Sequence, residues 1–273
     1  MIELDRIYNE DCLTGMQRID DGSVDLVVTS PPYDKLRTYG GVGEGWNFET
    51  FKAIAAELNR ILKDGGVIVW NVNDQTENGS KTGNSFRQCL FFMETGLNLN
   101  DTMIWRKTNP MPQVKQPRYA SCFEYMFVFS KGKPKTFNPI MRKTKCGGQN
   151  YDSTCKNMGG ENGRTEKHFI INNEAVDYNI WDIAIAQNKT GHPAVFPEEL
   201  AIRHIRSWSN EGEGNSRPIY RQRHHRRGLH QGEAPLHRLR DQQRILQRGT
   251  VSNQRGDASA KTFRLNIELQ KEE

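Results

Sequence analysis

The residues best suited to chemistry near the start of this chain are Thr29-Ser30-Pro31-Pro32-Tyr33. They follow Ser23-Val24-Asp25-Leu26-Val27-Val28, a short run rich in β-branched residues that reads as a buried parallel strand. Two prolines cannot extend a strand, so a tight loop must begin at Ser30. Such a loop lies at the carboxyl edge of a sheet, where α/β proteins bind ligands. The Ser30 hydroxyl and the Pro31 carbonyl are hydrogen-bond acceptors. Aimed at the N–H groups of a heteroaromatic amine, they would turn its delocalised lone pair toward an electrophile. The prolines hold these acceptors in place before anything binds. Tyr33 offers an aromatic face to a base rotated out of its stack. An alkyl transfer of this kind needs no covalent enzyme intermediate. No cysteine stands beside a proline as an activated nucleophile, which disfavours attack on a ring carbon. A lone Pro-Pro-Tyr also serves as a rigid strand-end turn or a linker motif; its position directly after a strand favours a site.

The elements that must position this loop are legible from periodicity. Asn47 to Lys63 has apolar residues at Phe51, Ile54, Ala55, Leu58, Ile61 and Leu62, one face of a helix. Asp64-Gly65-Gly66 is expected to end it, and Val67-Ile68-Val69-Trp70-Asn71-Val72 reads as the next buried strand. Ser85 to Thr95 predicts another helix. Thr102-Met103-Ile104-Trp105 and Glu124 to Ser130 predict two more strands. Strands alternating with helices imply an α/β sheet with crossover helices. Tyr39 to Trp46 is Gly-rich and is expected to be a mobile loop. Residues 131–185 turn polar and rich in Gly, Asn and Lys, which suits an inserted recognition region or a surface excursion. Pro197 opens a helix running to about Trp208.

The chain has 273 residues, enough for one α/β domain with an insertion or for two small domains. The net charge is +5. Residues 213–273 hold 13 Lys and Arg against 7 Asp and Glu, so the remainder of the chain stands at −1. The five cysteines form no CxxC pair, and no secretory signal or bilayer-length apolar run is present. A cytoplasmic protein with reduced thiols, no membrane association and no metal is expected.

The motif Thr29-Ser30-Pro31-Pro32-Tyr33 resembles the catalytic signature of amino-group DNA methyltransferases, which place Asp, Asn or Ser before Pro-Pro-Tyr/Phe. Ile7-Tyr8-Asn9-Glu10-Asp11-Cys12-Leu13 resembles the segment preceding that signature. Val67 to Asn73 resembles the sheet strand after it, and His192 to Leu200 the helix-opening motif beside the cofactor. The resemblance covers about residues 1–212. It implies a Rossmann-like sheet, S-adenosyl-L-methionine (SAM) as cofactor and double-stranded DNA as partner. It assigns Ser30, Pro31, Pro32 and Tyr33 to catalysis. It assigns Asp11, Cys12, His192 and Phe196 to cofactor binding, with Asp11 reaching the SAM adenine. Ser at position 30 leans toward cytosine N4, with adenine N6 as the alternative.

Motif order adds an expectation. Only 29 residues precede Ser30, too few for a complete Gly-rich cofactor unit. That is the circularly permuted order of the family's beta group, which places the unit after the helix ending near Trp208. The expected parts are a catalytic half at 1–130, target recognition at 131–185, a leading helix at 186–212 and the cofactor half from 213. The expected Asp-Pro-Phe-x-Gly-Ser-Gly-Thr-Thr is absent. Arg217-Pro218-Ile219-Tyr220-Arg221-Gln222-Arg223-His224-His225 stands in its place. Codons for these residues, re-read one base later, permit Asp-Pro-Phe-Ile-Gly-Ser-Gly-Thr-Thr. Residues 226–249 in that same frame permit a helix and then a strand ending in an acidic residue. A single-base insertion or sequencing error near Gly212–Glu213 is therefore expected. The tail 213–273 is then out of frame and non-native, its positive charge says nothing about DNA, and this chain is an inactive form of its family. A disordered basic tail on a non-catalytic DNA-binding remnant is the rival reading.

Overall fold

Val24–Thr29 (β2) is apolar on both faces because both faces are covered, and that double burial organises the whole sheet. The structure is a computed structural model that describes residues 7–33, 46–112, 117–156, 164–186, 197–210, 218–220 and 264–267. His192, Phe196, the glycine-rich stretch 39–45 and most of the tail lie outside the described residues.

The chain opens with β1 (Ile7–Glu10) and α1 (Cys12–Met16) before β2. Helix α2 (Phe48–Ile61) starts where the Asn47 side chain accepts the Thr50 N–H at 2.9 Å. It buries Phe51, Ile54, Ala55, Leu58 and Ile61, the face expected from their spacing. It stops earlier than the glycines suggest: Leu62 is already extended, and β3 (Leu62–Val72) follows without a gap. Gly65 serves another purpose. Its φ is +79°, and an added Cβ would stand 2.9 Å from Lys135 Cβ, so the chain 131–135 can close over it.

After a small hairpin, β4 (Thr76–Glu77) and β5 (Ser80–Lys81), come α3 (Asn84–Glu94), β6 (Asn98–Lys107) and β7 (Phe123–Ser130). The polar middle segment contains β8 (Met141–Lys143), β9 (Asn150–Lys156), β10 (Arg164–Ile170), β11 (Glu174–Val176) and β12 (Ile180–Ile183). Then follow α4 (Glu198–Trp208), β13 (Pro218–Tyr220) and β14 (Arg264–Ile267).

The main sheet has the order β12-β6-β7-β3-β2-β13. It is mixed. β7 runs antiparallel to β3 and to β6, while β2 pairs in parallel with both β3 and β13, and β12 in parallel with β6. Among the described residues no crossover helix separates β6 from β7, and the two strands pair antiparallel. The middle segment is also not wholly an excursion. Its pairs β9–β10 and β8–β11 form ladders outside the sheet, but β12 rejoins it at the edge.

Each sheet face carries its own core. On one face Phe51, Trp70 and Phe92 pack with ring centroids 5.1 to 5.7 Å apart, joined by Val27, Ile68 and Phe129. The other face packs Leu200, Ala201 and Trp208 of α4 on Leu26, Val28, Val69, Met126 and Val128. No helix among the described residues is long and apolar enough to cross a membrane.

His204 lies fully buried in this second core, its ring 4.6 Å from Trp181 and its Nε2 3.3 Å from Met126 Sδ. Among the described residues Nδ1 has no hydrogen-bond partner, which suits a neutral ring carrying its proton on Nε2. Burial pushes the His204 pKa down from 6.5 to about 3. The folded state therefore binds the proton less well than the unfolded chain does. Stability contributed by the neutral ring is complete above pH 6.5 and is lost as pH falls from there toward 3. Chemical denaturation at pH 7.5 and 5.5 is expected to show His204→Met losing about 1 kcal/mol less than wild type across that interval. An equal loss in both would rule out His204 as the source.

Candidate active site

β2 delivers Ser30 to the carboxyl edge of the sheet, and Pro31 and Pro32 are buried there. Register places Asn71 beside it: Thr29 pairs with Trp70, so the next residues on the two strands are neighbours. Asn71 is only 1% exposed, a polar side chain inside the otherwise apolar stretch Val67–Val72. Across β3, the antiparallel β7 presents Glu124 at the same edge, 7% exposed. Beyond it β6 ends with Lys107.

These side chains form one connected group. Tyr33 donates its hydroxyl to Glu124 Oε2 at 2.5 Å and lies 3.0 Å from Ser30 Oγ. Asn71 Nδ2 donates to the Tyr33 oxygen at 2.8 Å and to Glu124 Oε2 at 2.7 Å. Lys107 Nζ pairs with Glu124 Oε1 at 2.6 Å. The Tyr33 ring packs against the first core. The ring is thus held at its body by packing and at its hydroxyl by three strands. Rotation of the ring would break the Glu124 bond and uncover a buried carboxylate.

Of the residues singled out from sequence, Ser30, Pro31, Pro32 and Tyr33 come together at this edge. Asp11 and Cys12 belong to a different element. Asp11 caps α1, accepting from Thr14 N–H at 3.0 Å. Its carboxylate retains acceptor capacity for another donor. The Cys12 side chain is fully buried in the first core, so toward a ligand this residue offers its backbone. Asn71, Glu124 and Lys107 were missed. The signal was present for the first two: a lone Asn in Val67-Ile68-Val69-Trp70-Asn71-Val72, and a Glu leading an apolar strand, are buried polar groups that need partners.

β13 runs parallel to β2 with Pro218 opposite Leu26 and Tyr220 opposite Val28. The chain leaving Tyr220 therefore emerges at the edge that carries Ser30. A cofactor half placed there would meet the Ser30 loop. The residues that follow are Arg221-Gln222-Arg223-His224-His225, without a glycine. These five residues lie outside the described residues.

Comparison with known proteins follows the same lines. A family model for N6/N4 methyltransferases, described as DNA methylase, matches residues 24–214. The orphan methyltransferase M.BamHII of Bacillus amyloliquefaciens is 47% identical over 207 residues, covering 72% of this chain and 76% of its own length. The type II methyltransferase M.MwoI of Methanothermobacter wolfeii is 28% identical over 208 residues, 71% of this chain and 25% of its own. Among solved structures, PvuII DNA methyltransferase (cytosine-N4-specific) has a similar fold, with a TM-score of 0.55 at 18% identity. The likeness covers 80% of this chain and 74% of that one.

Proposed function

Since this chain belongs to the N6/N4 DNA methylase family, we propose that its Ser30–Tyr33 edge holds the exocyclic amine of a base flipped out of double-stranded DNA for methylation, cytosine N4 being favoured. The observation that carries this reading is the group just described: Ser30 at the sheet edge next to the buried Pro31, with Tyr33 locked beside them. SAM, the family's cofactor, supplies an electrophilic methyl group. Ser30 Oγ and the Pro31 carbonyl accept the two amine hydrogens and expose the nitrogen lone pair. Tyr33 stacks on the base and keeps it from turning. The Ser in place of Asp or Asn, and the fold shared with a cytosine-N4-specific enzyme, support cytosine. Adenine N6 is the second reading, because the matching family includes both acceptors.

The same proposal assigns residues 1–130 to a catalytic half, 131–185 to target recognition and 186–212 to the helix leading into the cofactor half. It takes 213–273 as out of frame. The match to the family model ends at residue 214, beside the expected break at Gly212–Glu213. With its loop replaced, this chain is inactive while its family is enzymatic.

The experiment uses the full chain with its frame restored. DNA methylated by it is digested to nucleosides and weighed by mass spectrometry. N4-methylcytosine is expected. N6-methyladenine would replace the first reading with the second, and a folded, SAM-binding enzyme that makes neither would overturn both.

A further inference from the structure

We propose that Glu124, acting through Tyr33, fixes Ser30 as a hydrogen-bond acceptor and so makes the site select a base bearing an amino group over one bearing a carbonyl in its place. The inference rests on the proposed reading of Ser30 as an acceptor for the amine. It follows from counting hydrogens. The Tyr33 hydroxyl has one, a carboxylate has none, and an amide nitrogen only donates. The Tyr33 oxygen lies 2.5 Å from Glu124 Oε2, 2.8 Å from Asn71 Nδ2 and 3.0 Å from Ser30 Oγ. Its hydrogen therefore goes to Glu124, and Asn71 donates to it. The opposite orientation of the Asn71 amide would set its oxygen against the Glu124 carboxylate. Within the Ser30–Tyr33 contact the donor is then Ser30.

Ser30 thus commits its only hydrogen inside the protein and meets any further group as an acceptor. Lys107 holds the carboxylate from its far side, 2.6 Å from Oε1. An amino group satisfies both Ser30 and the Pro31 carbonyl. A carbonyl oxygen would face two acceptors with no hydrogen between them. Glu124 is a positioning residue in this scheme, since it acts on the base only through Tyr33 and Ser30. In Glu124→Gln the amide can donate to Tyr33, and the Tyr33 hydrogen is free to turn toward Ser30.

The test uses the frame-restored full chain without SAM. Duplexes carry its mapped target site with the target base, with the deaminated analogue (uracil for cytosine, hypoxanthine for adenine) or with an abasic position, and binding is read by fluorescence anisotropy. Wild type is expected to prefer the amino base at least about 10-fold. Glu124→Gln and Tyr33→Phe are expected to narrow that preference to about threefold or less. Comparing variants on the same duplexes cancels the ease with which each base leaves the helix. A purely structural role would weaken all three duplexes alike and leave the preference intact. An unchanged preference in either folded variant overturns the inference. Ser30→Ala separates it from the reading beneath it. If Ser30→Ala also keeps the preference, the acceptor role of Ser30 fails as well; if only Ser30→Ala loses it, the Glu124 inference alone is wrong.

Discussion

Re-reading the coding sequence one base later from about Glu213 is expected to convert a chain that does not bind SAM into one that does. The restored chain should reach a micromolar dissociation constant, about 8 kcal/mol of binding, and the present chain should remain weaker than about 1 mM. The physical case has two parts. A loop that cradles a nucleoside cofactor needs glycines, because only backbone without a Cβ lets the ligand approach. Arg221, Gln222, Arg223, His224 and His225 all carry side chains there. The second part is charge: Arg221 and Arg223 would repel a sulfonium cation brought to a loop of these residues. β13 pairs in parallel with β2 and ends beside the Ser30 edge, so a restored loop following that position would face Ser30. Isothermal titration of both chains with SAM measures the difference. Equal affinity in the two would show that the tail as written is functional, and so would coding DNA whose codons for Arg221 to His225 cannot yield Gly-Ser-Gly-Thr-Thr.

Ser30→Ala carries the next largest effect. In the restored chain it should lower kcat by roughly 10²- to 10³-fold, the usual consequence of deleting one preorganised polar contact to a reacting centre. KM for SAM should stay within a few-fold, since Ser30, just after β2, is proposed to contact the base and not the cofactor. Methylation rates at saturating DNA and varied SAM separate the two constants. A variant with near-normal kcat would remove Ser30 from the chemistry and leave the Pro31 carbonyl as the remaining acceptor. The truncation also frees the Tyr33 hydroxyl from one neighbour, but the Glu124 and Asn71 contacts remain to hold the ring.

Much of this was legible before any coordinates. A β-branched run ending in two prolines can only be a strand delivering a loop to the sheet edge, because proline has no N–H to continue a ladder. The burial of Phe51, Ile54, Leu58 and Ile61 on α2 follows from a 3.6-residue period, which is a local property. Helices α3 and α4 were visible for the same reason. The early place of Ser30 in the chain, and the absence of glycine from Arg221 to Arg227, are facts of order and residue type that need no folding to read.

Tertiary structure alone decided the rest, because it concerns pairings between distant segments. The direction of β7 depends on which strand receives it, and nothing local in Phe123–Ser130 distinguishes parallel from antiparallel pairing. β12 returns to the sheet from within a polar stretch because the edge beside β6 is open to it. The meeting of Ser30, Tyr33, Asn71, Glu124 and Lys107 requires four strands in one register, 91 positions separating Tyr33 from its carboxylate. The sequence by itself pointed to the family and showed Arg221-Gln222-Arg223-His224-His225 where a Gly-rich loop was expected. The register of the sheet determined what holds Tyr33 and which way the hydrogens run.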